Sequence, residues 1–124
     1  MKVITRHILG ADRVLCYSLR VTKDVAEKFG GSGSLREQLS GENPAQTMDA
    51  AIWLLTALLQ AGKRYADNNG MECPPAPSED DLLDNYDIND LMEIQKAIND
   101  AMAAGSQQDV EAEAPKNGEA GQDD

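Results

Sequence analysis

Hydrophobic residues recur along residues 44–68 at the spacing of an α-helix, and this is the clearest pattern in the chain. The apolar positions form one continuous stripe: Met48, Ile52, Leu55, Leu58, Leu59 and Tyr65. Trp53 and Leu54 widen the stripe, which indicates a helix that is buried on most of its sides. Asn43 and Pro44 are typical of a helix start, since Asn caps the first turn and proline fits the first helical position.

Two shorter helices are predicted before this one. Thr22 is the predicted cap of the first, which places Val25 on its apolar face and ends at Gly30. Ser34 and Glu37 have the spacing of a capping box, in which each side chain bonds to the backbone of the other residue. This pattern predicts a second short helix over residues 35–39.

The C-terminal half predicts two more helices, separated from residues 44–68 by the stiff segment "CPPAP". Ser78 is the predicted cap of an acidic helix, and Asp87 is the predicted cap of the last helix, which ends at Gly105. The last helix has a clear apolar face: Leu91, Ile94, Ile98, Ala101 and Met102. Residues 106–124 contain one large apolar residue, Val110, so this acidic tail is expected to be disordered.

The N-terminal runs "MKVITRHIL" and "VLCYSLRV" predict a β-hairpin, with "GADR" as the turn. In the second run, alternate apolar residues share one face: Leu15, Tyr17, Leu19 and Val21. The expected fold class is therefore α+β, with an N-terminal hairpin (residues 1–21) packed on a mainly α-helical bundle (residues 22–105). Residues 1–105 are the expected domain, and residues 106–124 are the tail.

Charge divides the chain into two unequal parts. The formal net charge is −11; residues 1–78 carry +1, and residues 79–124 carry −12. Binding to bare nucleic acid or to an anionic membrane is not expected, because both need Lys and Arg. The N-terminus has no apolar segment of a signal peptide, and the apolar run "AAIWLL" is too short to cross a bilayer. These features predict a cytoplasmic protein.

Candidate catalytic residues are few. His7 is the sole histidine and has no neighbouring metal-ligand motif, while Cys16 and Cys73 do not form a disulfide framework and are expected to be free thiols. The acidic run "SEDD" lacks the ligand spacing of a calcium loop, and "GGSGS" lacks the lysine of a phosphate-binding loop. No catalytic residue, metal ligand or cofactor is predicted, and a binding function is favoured over an enzyme.

The order of the segments resembles one protein family. A short hairpin leads into "LRVTKDVAEKFGGSGSLREQL", then the apolar helix "TMDAAIWLLTALLQAGKRYA", then "SEDDLLDNYDINDLMEIQKAINDAM" and a polar tail. Residues 1–105 thereby resemble the tail assembly chaperones of long-tailed bacteriophages and prophages, particularly those of Gram-positive hosts. The resemblance implies a non-enzymatic protein that is made in the bacterial cytoplasm and is absent from the mature virion.

The resemblance also implies partners. Such chaperones bind the tape measure protein, keep its apolar helices soluble and help to recruit tail tube subunits; a homo-oligomer is also possible. The candidate partner-binding residues lie on the long apolar helix: Ile52, Trp53, Leu55 and Leu59. Two alternatives stay open: another structural or adaptor protein of a phage, and an acidic inhibitor that mimics DNA.

The tail carries one further hypothesis that the resemblance implies. In this family, a ribosomal frameshift near the end of the gene adds a second domain to a minority of the product. Lys116 and Asn117 follow Pro115, and the codons CCA AAA AAC would form a slippery site there. We expect these codons, or a close variant, together with peptides by mass spectrometry that join the tail to the next reading frame. Codons CCG AAG AAT without a fused peptide would reject this position.

Overall fold

A computed structural model describes residues 1–106 of the chain. Its elements are, in chain order, β1 (Ile4–Ile8), β2 (Ala11–Leu15), α1 (Leu19–Phe29), α2 (Ser32–Leu39), α3 (Pro44–Asn68), α4 (Glu79–Asn85), a 3-10 turn (Ile88–Asp90) and α5 (Leu91–Ser106). The strands pair antiparallel, and β2, α1, α2, α4 and α5 all contact the central helix α3. The expected α+β class, a hairpin on a helical bundle, is confirmed.

The hairpin turn lies earlier than the sequence predicts. Leu9 and Gly10 form a two-residue turn with φ angles of 49° and 79°, and Ile8 faces Ala11 across it. Two positive φ angles suit the right-handed twist of paired strands, which is why a short turn of this kind closes the hairpin. The predicted turn "GADR" is therefore wrong, because Ala11, Asp12 and Arg13 belong to β2.

The second strand is shorter than predicted. Ser18 caps α1, and its Oγ accepts from the Val21 amide at 3.4 Å, so the helix begins at Leu19 and the predicted cap Thr22 lies inside it. Val21 and Val25 are both buried one turn apart, whereas Leu19 is 85% exposed. Helical burial of the two valines outweighs the alternation read from residues 15–21, and the hairpin ends at residue 15 rather than 21.

The connection between α1 and α2 is partly as expected. Gly30 ends α1 in the left-handed conformation, with φ of 83°, which confirms the predicted stop. The predicted capping box of Ser34 and Glu37 does not form, because α2 begins three residues earlier than predicted, after Gly31. Leu35 anchors α2 in the core and is fully buried.

Helix α3 has the bounds that the sequence predicts. The Asn43 side chain accepts from the Gln46 amide at 3.2 Å, Pro44 is the first helical residue, and Asn68 is the last. Near its C-terminal end, Gly62 lies directly against the backbone carbonyl of Val14 in β2. The glycine lets strand and helix approach more closely than any side chain would allow.

The caps of the C-terminal helices are also confirmed, but the predicted stop is not. Ser78 forms a capping box with Asp81 at the start of α4, and Asp87 caps the 3-10 turn that runs into α5. Gly105 does not end α5, because the helix continues to Ser106. Gly105 instead lies against Tyr17, where a Cβ atom would come within 2.6 Å of the tyrosine Cβ.

The proline-rich segment between α3 and α4 is held by two cations. Arg13 donates to the carbonyl of Ile8 at 2.8 Å and to that of Pro75 at 2.7 Å. Lys63 donates to the carbonyl of Cys73 at 2.7 Å. These bonds tie the segment to the hairpin and to α3.

The predicted disordered tail and the frameshift position, Lys116 and Asn117, lie outside the described residues, except for Ser106, which is helical. Side chains of the hairpin and of the helices α1–α5 join one hydrophobic core. Within residues 1–106, none of the helices has the length and apolar character that a membrane span requires.

Candidate partner-binding surface

Three of the four predicted partner-binding residues lie in the core. Ile52, Leu55 and Leu59 are all buried in α3 and belong to the main hydrophobic cluster. Their buried side chains stabilise the fold. Trp53 differs from them, because it is only half-buried.

Trp53 packs against residues of its own chain. Its ring meets that of Phe29 edge-to-face, with centroids 5.4 Å apart and planes at 80°. The Lys28 ammonium lies 5.5 Å from the Trp53 centroid and 5.7 Å from that of Phe29. These contacts fasten α1 to α3 and cover part of the ring.

A cleft of about 280 Å³ lies between β1 and α5. Its floor is apolar and consists of Ile8, Leu55, Ile94 and Ala97. Tyr86 stands at one side, where its hydroxyl accepts from the Leu9 amide at 3.3 Å. The cleft is not predicted from the sequence, because it forms between a strand and a helix that are more than 80 residues apart.

An ion-pair network borders the cleft. Arg6 of β1 and Lys96 of α5 both bind Asp100, the lysine at 3.2 Å. The hydrogen bond from Lys96, with that from Arg6, holds the pKa of Asp100 below its usual value. Because Arg6 and Lys96 both bind this carboxylate, the network bridges β1 and α5 at the edge of the cleft.

Two large apolar side chains are exposed where the 3-10 turn meets α5, and neither of them lines the cleft. Ile88 is 64% exposed and Met92 is 80% exposed, and they lie one helical turn apart where the 3-10 turn runs into α5. Met92 directly precedes Glu93 of the cleft rim, but successive helical residues point about 100° apart, and Met92 faces away from the cleft. Ile88 and Met92 are called the apolar ridge below.

Carboxylates surround the apolar ridge in the sequence. Residues 79–95 contain seven Asp or Glu and no Lys or Arg. Six are exposed: Glu79, Asp80, Asp81, Asp84, Asp87 and Glu93. The acidic helix starts are predicted from the sequence. The exposure of Ile88 and Met92 also follows from the sequence, because both lie outside the apolar face of α5.

Side chains with chemical reactivity are dispersed. His7 Nδ1 lies 2.9 Å from Oδ1 of Asp12, and both side chains are exposed. Burial raises the pKa of the Cys16 thiol, which contacts the Met1 sulfur at 3.0 Å, and Cys73 is also a free thiol. Across the described part of the chain, no three His, Cys, Asp or Glu side chains are grouped so as to hold a metal ion.

Comparisons of the chain with protein-family models, with curated proteins and with solved structures find no match. The function proposed below therefore rests on two observations. One is the exposed apolar ridge, and the other is the order of segments along the chain.

Proposed function

We propose that this protein is a non-enzymatic assembly chaperone of the phage-tail type. It binds apolar helical segments of a tape measure protein, keeps them soluble in the bacterial cytoplasm and helps to recruit tail tube subunits. It leaves the assembly before the virion is complete. The order of hairpin, apolar helix and acidic helices supports this class of protein.

The observation that carries the proposal is the exposed apolar ridge at the start of α5. Ile88 and Met92 are not needed to pack α5, because Ile94, Ile98 and Met102 already attach the helix to the core. Exposed apolar side chains on an otherwise well-packed fold mark sites of protein interaction. A chaperone for apolar helices requires such a surface on a domain that stays soluble, and a strongly negative chain provides the solubility.

A DNA-mimicking inhibitor fits this surface less well. A phosphate mimic presents rows of carboxylates to a basic protein, and residues 79–93 do carry many. Ile88 and Met92, however, are exposed and lie between those carboxylates in the sequence. Exposed apolar side chains do not resemble any part of a phosphate backbone. The ridge therefore favours binding of a helix over mimicry of nucleic acid.

Co-expression tests the proposal. We expect the gene to lie between a tail tube gene and a long tape measure gene. Co-expression of this protein with the tape measure protein should raise the soluble fraction of the latter several-fold. A second acidic protein of similar size and net charge, expressed in its place, is the control for simple charge effects. A tape measure protein that stays insoluble and forms no complex with this chain on gel filtration would contradict the proposal.

A further inference from the structure

We propose that the outer edge of β1 is a docking site for an extended peptide segment of a partner protein. The segment adds a third strand to the two-stranded sheet, and its alternate side chains enter the cleft between β1 and α5. The observation behind this proposal is a row of unpaired backbone groups that opens onto an apolar-floored cleft. The apolar ridge does not line the cleft, so this site does not rest on the function proposed above.

The pairing of β1 with β2 determines which backbone groups of β1 point outward. Ile8 and Ala11 flank a two-residue turn and form a hydrogen-bonded pair. Bonded and non-bonded pairs alternate along an antiparallel ladder. Arg6 is therefore also bonded to β2, whereas the amide and carbonyl groups of Thr5 and His7 point away from it. The free edge of β1 thus presents both donors and acceptors.

The two edges of the sheet differ in their cover. Directly after β2, the Cys16 amide donates to the Leu58 carbonyl of α3 at 3.1 Å. The edge of β1 has no such cover, because within residues 1–106 the outward amides of Thr5 and His7 have no hydrogen-bond partner. The Thr5 carbonyl accepts only from the exposed side chain of Arg6, at 3.0 Å, and keeps a second lone pair. Such an edge is a template for a further strand.

The cleft runs along this edge. Arg6 and His7 are neighbours in β1 and point to opposite faces of the sheet, yet both line the cleft. A cleft that reaches both residues passes the edge of the strand. In an added strand every second side chain points toward the cleft floor, which is formed by Ile8, Leu55, Ile94 and Ala97. An extended segment held between an edge strand and a helix is a recurrent mode of peptide recognition.

Backbone groups, rather than charged side chains, select the occupant. Arg6 and Lys96 lie at the cleft, where both bind Asp100. Asp90 and Glu93 lie there too, so charges of both signs surround the cleft and favour neither sign in a partner. The partial charges of the free N–H and C=O groups of β1 complement those of an extended chain. The apolar floor adds a preference for apolar side chains at alternate positions.

A second copy of this chain fits the site less well. Its own β1 already contacts α5 on the face that would have to enter the cleft, and the bridge from Arg6 to Asp100 joins that strand to that helix. The helix of the second copy would therefore overlap the helix that forms the wall of the cleft. An extended segment with no helix packed on it avoids this overlap.

Hydrogen exchange at single amides, followed by NMR on the full chain, tests whether the edge is free. In the protein alone, the Thr5 and His7 amides should exchange at least about tenfold faster than those of Arg6 and Ile8, which bond to β2. Equally slow exchange of all four amides would show that the edge is already covered, by another part of the chain or by a second copy. That result would overturn the proposal.

A neutral peptide then tests the docking. The probe is a seven-residue peptide, blocked at both ends, with Val or Leu at alternate positions between threonines. At saturation it should slow the exchange of the Thr5 and His7 amides at least about tenfold and leave that of Arg6 unchanged. A peptide that binds without protecting these two amides, or that does not bind, would contradict the proposal.

Two N-methylated versions of the peptide form a matched pair. One carries methyl groups on the amides of the odd-numbered residues and the other on those of the even-numbered residues, so each version has one blocked edge. Because a docked strand turns only one edge toward β1, one version should bind like the parent peptide and the other at least about tenfold more weakly. Equal binding of the two versions would overturn the strand geometry.

A substitution in the protein tests the same edge from the other side. Thr5→Pro removes an outward amide, which an edge strand tolerates, and should weaken peptide binding at least about tenfold. Thr5→Ala is the matched control, since it removes the side chain, keeps the amide and should bind within about twofold of the parent. Circular dichroism checks the fold of both variants. Unchanged binding by a folded Thr5→Pro protein would reject this edge, and if that variant does not fold, the N-methylated pair decides on the parent chain.

Discussion

Gly62→Ala is expected to destabilise the protein by more than about 3 kcal/mol, a large part of the stability of a small domain. A Cβ atom at this position would lie 1.7 Å from the carbonyl oxygen of Val14 and 2.3 Å from its carbon. Both atoms belong to backbone, so no side-chain rotation relieves the overlap. The next backbone contact, from the Cys16 amide to the Leu58 carbonyl at 3.1 Å, resists movement of the strand away from α3.

Gly33→Ala is the matched control for this substitution. Gly33 lies in α2 with ordinary backbone angles, and a Cβ atom there would have no neighbour within 4 Å. Alanine is expected to leave stability unchanged or raise it by up to about 1 kcal/mol, because it favours the helix. Urea unfolding followed by circular dichroism compares the two variants. A Gly62→Ala protein as stable as the parent would show that β2 and α3 are not in close contact.

Leu55→Ala is expected to cost about 2–5 kcal/mol. Leu55 is 1% exposed and joins the floor of the cleft to the core of the bundle, so truncation removes buried methyl groups and enlarges a void. The free energy of unfolding from urea titration measures the effect. Leu19→Ala provides the control at an exposed leucine, where the change should stay within about 0.5 kcal/mol.

An unchanged unfolding free energy for Leu55→Ala would contradict the buried position. It would place Leu55 on an accessible face, as the sequence-based hypothesis of partner binding requires. A large loss of stability instead assigns the residue to the core. Partner binding should then be sought at Ile88 and Met92.

Local signals in the sequence predict helices well where a cap and an apolar stripe agree. Asn43 and Pro44 mark the start of α3, Ser78 marks that of α4, and both act as predicted because each cap bonds to an amide within three residues. Gly30 ends α1 for an equally local reason, its left-handed backbone. Caps and helix stops of this kind depend on residues that are near each other in the chain, so they can be predicted from the sequence.

Predictions were wrong where two periodicities compete or where the cause is distant. Val21 fits both a strand and a helix, and its contact with the core decides for the helix. Gly105 has the position of a helix stop, but its small size serves contact with Tyr17, 88 residues earlier. The cleft likewise joins Ile8 to Ala97, and no local pattern reports that proximity.

The contact between Gly105 and Tyr17 fixes where the end of α5 lies in the domain. The last turn of α5 is held against the segment that joins β2 to α1, so polypeptide that follows Ser106 starts at that end of the molecule. Met92 of the apolar ridge lies at the opposite end of the same helix, about 20 Å from Gly105. A tag or a second domain fused after Ser106 should therefore leave the ridge open to a partner. An insertion at residue 86, two residues before Ile88, would instead lie next to the ridge.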